Sequence, residues 1–189
     1  MNDELTSYFY LNNLVNIPVD GKITLQYDKE ALHAFFNEEV EPKTIAFPSF
    51  KEKIHFLIEN EYIDQALISK YSWSFLSDLY QEIVDQKFAF KSFLGAYKFY
   101  SQYAMKTNDK AKWLETFNDR VFYNALYLGN GDETLAQQVA GELINQRYQP
   151  ATPTFLNAGK KRRGEMVSCF LIDVSDSMLA IGRAINSAL

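Results

Sequence analysis

One thiol, Cys169, is the only redox-capable side chain in the 189 residues. It follows Ser168 inside a short apolar run at 166–174 (MVSCFLIDV). By residue type alone, a cysteine flanked by apolar residues is commonly a small buried hydrophobe. No histidine stands near it in sequence to activate it as a nucleophile. Upstream, Thr152 and Thr154 flank Pro153. Their hydroxyls can cap local backbone, or donate to a bound phosphate or ribose. Lys160, Lys161, Arg162 and Arg163 form the one dense basic run. It reads as a solvated loop or as a loop facing a phosphate. The common nucleotide signatures, a Walker-type glycine loop and GxGxxG, are both missing. His33 and His55 stand apart on expected helices, and Glu38, Glu39 and Glu41 read as a solvated charge run. No metal-ligand spacing emerges from them. Phe93, Tyr97, Tyr100 and Tyr103 recur three or four residues apart; they read as core, with a base-stacking platform as the alternative.

The elements that would position these groups are mostly helical. Residues 22–27 (KITLQY) alternate like a short strand. Asp28 can cap a helix with Ala31, Leu32, Phe35 and Phe36 on one face, and Pro42 ends that region. Ser49 and Glu52 have capping-box spacing ahead of Ile54, Leu57 and Ile58. A further helix starts near Tyr62 with Ala66 and Leu67 inward. Ser72 can cap the next, along which Phe75, Leu76, Leu79, Tyr80 and Ile83 repeat at helical spacing. Two more are expected at 114–128 and 133–147, broken by Gly129-Asn130-Gly131-Asp132. After Pro150 the character changes. Residues 151–164 read as loop and 166–174 as a buried strand. Ser175-Asp176-Ser177 can then cap a helix bearing Met178, Ile181, Ile185 and Leu189. A strand and helix of this kind make half of a β/α unit, so the intact protein is expected to continue past Leu189 and complete a sheet or barrel.

Composition narrows the function classes. With 47% hydrophobic and 15% aromatic residues the chain can bury a core, and Gly and Pro together number only 13. A net charge of −5 disfavours nonspecific nucleic-acid binding. No apolar run reaches the ~20 residues of a membrane span. The acidic N-terminus lacks the apolar stretch of a signal peptide. A cytoplasmic, reducing location is the default expectation.

The segment 149–189 (QPATPTFLNAGKKRRGEMVSCFLIDVSDSMLAIGRAINSAL) resembles the large subunit of class I ribonucleotide reductases, in the bacterial class Ib form. Two motifs carry the likeness: TPTFLNAG at 152–159, and VSCFL at 167–171 followed by Asp176 and Ser177. Residues 91–109 (KSFLGAYKFYSQYAMKTND) resemble that family's all-helical N-terminal region. The resemblance implies a mainly α-helical N-terminal domain followed by the first strand and helix of a ten-stranded α/β barrel. It divides the chain into 1–88, a class Ib-type helical region; 89–160, the all-alpha domain; and 161–189, the start of the barrel.

The resemblance also implies roles. Cys169 matches the family's redox cysteine on the first barrel strand, which pairs with a second cysteine on another strand. Thr152 and Ser168, together with Cys169, match substrate-contacting positions, with Thr154 as second choice. Asp176 and Ser177 match positions near the allosteric specificity site, where ATP or a deoxynucleoside triphosphate binds at a homodimer interface. The implied substrate is a ribonucleoside diphosphate. The implied partners are a small subunit carrying the metal-radical cofactor and a glutaredoxin- or thioredoxin-like reductant, with no membrane or nucleic acid. No metal and no cofactor is expected on these residues themselves. The family's thiyl-radical cysteine and radical-path tyrosines are not among them, so no reductase activity is expected from this stretch alone. Too few residues precede Thr152 for a complete ATP-cone domain in addition to the helical region. The alternatives are a nucleotide- or subunit-binding module without catalysis, and a structural helical domain with an incidental cysteine.

Overall fold

Hydroxyl and carboxylate caps set where most of the helices begin. The computed structural model describes residues 7–23, 25–169 and 171–188. Its helices are α1 Ser7–Asn13, α2 Gln26–Phe35, α3 Glu41–Lys43, α4 Phe50–Glu59, α5 Gln65–Ile68, α6 Trp73–Asp85, α7 Phe93–Lys98, α8 Phe117–Gly129, α9 Glu133–Ile144, α10 Thr152–Asn157 and α11 Met178–Ala188. Ser49 accepts the Glu52 N–H, Ser72 that of Phe75, Ser92 that of Gly95, and Asp132 that of Leu135. Each satisfies one of the backbone donors that a helix start leaves free. At Ser49 only half of the expected box forms. The serine hydroxyl itself donates to the Glu52 carboxylate, at 3.2 Å.

Asp28 departs from its expected role. It is the third residue of α2 rather than the residue ahead of it, and no side chain caps this helix start. Its buried carboxylate instead accepts the backbone N–H of Phe93 at 3.3 Å, joining α2 to the start of α7. Both of these helices run on into π-helical turns, Phe36–Val40 and Phe99–Tyr103. The wider turns bring Phe36 against Tyr100 edge to face, with centroids 5.8 Å apart.

Two apolar clusters result. One gathers Ile54, Leu57, Leu76, Leu79, Ile83, Phe122, Leu126 and Leu143 from α4, α6, α8 and α9. The other gathers Tyr8, Phe35, Phe93, Phe99, Tyr100, Trp113 and Phe155. Phe117 packs against both, stacked on Phe88 at 3.9 Å. The aromatic stripe from Phe93 to Tyr103 is therefore core: Phe93 and Tyr100 are 2% and 3% exposed. Ala66, expected inward, is exposed, while Leu67 and Ile68 turn in beside it. Between the clusters, Trp113 exchanges backbone bonds with Lys43 and Ile45, and its indole N–H reaches Tyr100 O at 2.8 Å.

Neither expected strand is seen among the described residues. Lys22 makes only an isolated bridge with Val19, Thr24 lies outside the described residues, and Gln26 already begins α2. The described residues at 166–174 belong to no strand, and all but the half-buried Met166 are exposed. Among the described residues there is no neighbouring strand to take up their N–H and C=O groups, and without one an extended run has no ladder to join. Residues 152–157, expected as loop, instead form α10, because Pro153 fits the first turn of a helix, where no N–H is needed. Helix α11 forms at its expected place but buries no residue. Met178 is 84% exposed and Ile185 is 59% exposed.

Replacing Phe93 by Ala should cost about 3–5 kcal/mol of unfolding free energy, as for other buried aromatics. Ile185→Ala should stay within about 0.5 kcal/mol, as at exposed sites. Urea titrations of the two variants check this contrast.

Candidate functional site

The segment that carries the candidate residues is fastened by ionised side chains buried at the head of α8. Thr116 and Asp119 form a reciprocal capping box there. The Asp119 carboxylate also accepts from Lys53 Nζ at 2.7 Å and from the Tyr80 hydroxyl at 3.1 Å. Asp119 thus ties α4 and α6 to α8. Burial, and secondly the nearby Asp119 charge, push the Tyr80 phenol far above its ordinary range.

Arg120, one residue on, serves the opposite side. Its guanidinium is fully buried and donates to Leu156 O at 3.1 Å and to Ala158 O. These are carbonyls at the C-terminal end of α10, where a cation complements the helix dipole. Glu115, also fully buried, stands 3.5 Å from Arg120 and accepts the Met105 N–H at 2.9 Å. Asn124 Nδ2 donates to Arg120 O at 2.8 Å and to Phe155 O at 3.2 Å. The Phe155 ring is meanwhile buried against Tyr103 and Phe117. Gly159 follows with φ +78°, and a Cβ there would lie 2.9 Å from the Tyr123 Cβ. Glycine suits both demands. The chain then crosses residues 62–64, bonded Asp64 N to Gly159 O and Lys161 N to Tyr62 O.

The residues singled out in the sequence fall along this fastened stretch and beyond it. Thr152 is exposed at the start of α10, its Oγ1 3.2 Å from the Tyr103 hydroxyl. Thr154 Oγ1 reaches Met166 O at 3.5 Å. Neither hydroxyl caps α10. Asn157 bonds Glu165 O and Gly164 N, which turns the chain back after the basic run. Ser168 and Cys169 are exposed, with Oγ and Sγ 3.7 Å apart. Among the described residues no hydrogen bond joins Thr152 to either of them. Asp176 and Ser177 are exposed ahead of α11, where Ser177 Oγ accepts the Ala180 N–H at 3.1 Å. In the basic run, Arg162 pairs with Glu61, while Lys161 and Arg163 each lie 3.8 Å from Asp64. His55 stacks on Trp73, and among the described residues no group of three or more His, Cys, Asp or Glu could hold a metal.

Sequence reading overlooked Glu115, Asp119, Arg120 and Asn124. A signal was there. Glu115 and Arg120 are opposite charges five apart, in a stretch at 113–126 otherwise dense in apolar residues. Polar pairs in such a setting must find one another or leave their charges bare.

Comparison with known proteins names the class. Residues 8–88 match the family described as ribonucleotide reductase N-terminal, and residues 89–163 match ribonucleotide reductase, all-alpha domain. The chain belongs to the ribonucleotide reductase family, as its N-terminal helical region. Similarity to individual proteins narrows this to the alpha subunit. The chain is 44% identical, over 99% of its length, to a ribonucleoside-diphosphate reductase subunit alpha of Bacillus subtilis (strain 168). It is 46% identical over 100% of its length to the NrdEB subunit alpha of Bacillus phage SPbeta, and 42% over 99% to the alpha subunit of Mycoplasma pneumoniae. It spans 27%, 17% and 25% of those relatives respectively. Among the described residues no helix is long and apolar enough to cross a membrane.

Arg120→Ala should destabilise the chain by about 3–5 kcal/mol, because Glu115 is left buried without its partner. Amide exchange at 155–160 should accelerate as well. The double variant Glu115→Gln, Arg120→Met should lose clearly less. An Arg120→Ala chain that unfolded within about 1 kcal/mol of the parent would refute this account.

Proposed function

We propose that this chain serves as the N-terminal part of the large subunit of a class Ib ribonucleoside-diphosphate reductase, and that Cys169 is one half of its redox dithiol. The observation that carries this reading is similarity without interruption through the thiol. All 189 residues align with the phage NrdEB subunit alpha, and Cys169 itself is exposed rather than sealed in either core. The exposed apolar residues beyond Val167 are also side chains that further chain would be expected to cover.

Removing a ribose 2′-hydroxyl takes a proton for the departing water and two electrons. Two thiols supply both and close to a disulfide, which an external dithiol protein must then reduce. The chain has one cysteine, so the second thiol is contributed by residues other than these 189. In this reading a thiyl radical on the large subunit first activates the ribose, after a radical-generating small subunit has produced it. Thr152 and Ser168 contact the substrate diphosphate, with the short hydroxyl beside Cys169 helping to orient it. Asp176 and Ser177 lie near the site where ATP or a deoxynucleoside triphosphate sets specificity between two copies of the subunit. A reducing cytoplasm is the matching compartment. The role of α8 and its buried charges is positional: they hold α10, and with it Thr152, at a fixed place on the helical domain.

The test uses the full-length subunit with its small subunit and a dithiol reductant. Cys169→Ser should abolish multiple turnover of ribonucleoside diphosphate while leaving nucleotide binding in place. Sustained turnover by that variant would remove Cys169 from the reaction.

A further inference from the structure

A recess away from Cys169 lies where residues 60–62 and 101–110 meet the crossing chain at 160–162. It holds about 460 Å³. Lys106, Lys110, Lys160 and Arg162 all line it, against a single carboxylate, Glu61. That carboxylate is already engaged by Arg162. Among the described residues Lys106, Lys110 and Lys160 form no ion pair; Lys106 lies only over the Trp113 ring, at 5.5 Å. A local excess of cations therefore sits in a concave site of a chain whose overall charge is −5. Like charges gathered in a recess repel one another and focus a positive potential on its mouth. Glu61, taken up by Arg162, and the buried Glu115 offset that repulsion only in part.

Hydrogen-bonding groups at the same place point the same way. The Tyr62 oxygen accepts the Asn108 N–H at 3.2 Å, which leaves the phenolic proton free to donate to an outside acceptor. The hairpin that presents Lys106 and Lys110 is tied by Thr107 N to Lys112 O and by Lys110 N to Thr107 O. The chain that presents Lys160 and Arg162 is tied by Lys161 N to Tyr62 O. The cations are thus held by backbone pairing on two sides.

We infer that this recess binds a polyphosphate group, which carries enough charge and acceptor oxygens to engage three ammonium groups and a phenol at once. The volume accommodates more than one phosphate, so a di- or triphosphate is favoured over orthophosphate. Burial holds the Lys160 ammonium down to about 8, with Glu115 opposing and Arg120 assisting that shift. The charged neighbours facing it are Glu115, Arg120, Lys106, Lys110, Glu61 and Arg162. A bound polyanion would raise the Lys160 value again. Binding should therefore take up a proton at pH 9, where Lys160 is mostly neutral when empty, and take up little at pH 6.

The experiment is calorimetric titration of the full chain with inorganic tripolyphosphate at low salt. Saturable binding is expected, weakening steeply with added sodium chloride. Lys106→Gln with Lys110→Gln should weaken it at least tenfold, while Arg147→Gln, a surface cation outside the recess, should not change it. Lys160→Met should remove the proton uptake seen at pH 9 in buffers of different ionisation enthalpy. A nucleoside triphosphate that displaces tripolyphosphate with tenfold higher affinity identifies a nucleotide as the source of the phosphates; equal affinity identifies free polyphosphate. Absence of binding at millimolar tripolyphosphate, or binding unaltered in the double lysine variant, overturns the assignment. Cys169→Ser should leave the titration untouched, so this result stands or falls apart from the dithiol reading.

Discussion

A buried guanidinium holding two main-chain oxygens is the constraint from which the candidate site follows. Arg120 lies between the Glu115 carboxylate, just ahead of its own helix, and the terminal carbonyls of α10. In a low-dielectric interior a lone charge is not tolerated, so Glu115 and the carbonyls must stay where they are. Such a cluster is a weak source of net stability compared with apolar packing. Its value lies in selecting one arrangement: any other placement of α10 would strand a charge. Phe155 and Gly159 then follow from that placement, the first filling the aromatic cluster and the second slipping past Tyr123.

The helical part of the fold was legible because its cues are local. A cap and a 3.6-residue period can be read from a dozen neighbours, and Ser72 and Ser49 mark their helices as expected. The errors lie where the outcome depends on distant partners. Asp28 looked like a cap for α2 because its own neighbours allowed it; its actual partner, Phe93, is far along the chain. Residues 166–174 have a strand's composition, but a strand is a property of a sheet. For the site, Cys169, Thr152 and Ser168 were legible as a resemblance to a family. The buried ions that position α10 were overlooked, because a pair of opposite charges in a sequence reads equally well as a solvated one.

The two ends of the segment from 152 to 188 differ physically. Up to Arg163 it is held by ion pairs, carbonyl bonds and an isolated bridge to Ile63. From Val167 onward the described large apolar side chains are exposed, and α11 carries its apolar stripe without burying a described residue. Helix formation there needs only local bonds, which is why α11 exists while the strand does not. Among the described residues the packing is dense before Gly164 and sparse after it.

The π-helical turns after α2 and α7 carry a separate implication. Each spends one residue more than an α-helical turn would, and together they seat Phe36 on Tyr100. Because the helical repeat advances about 100° per residue, a deletion at either place would rotate everything after it by more than a quarter of a circle. These two stretches therefore act as phase-setters for the polypeptide: a change of length there misaligns the core side chains Val40, Phe99 and Tyr100 that they carry.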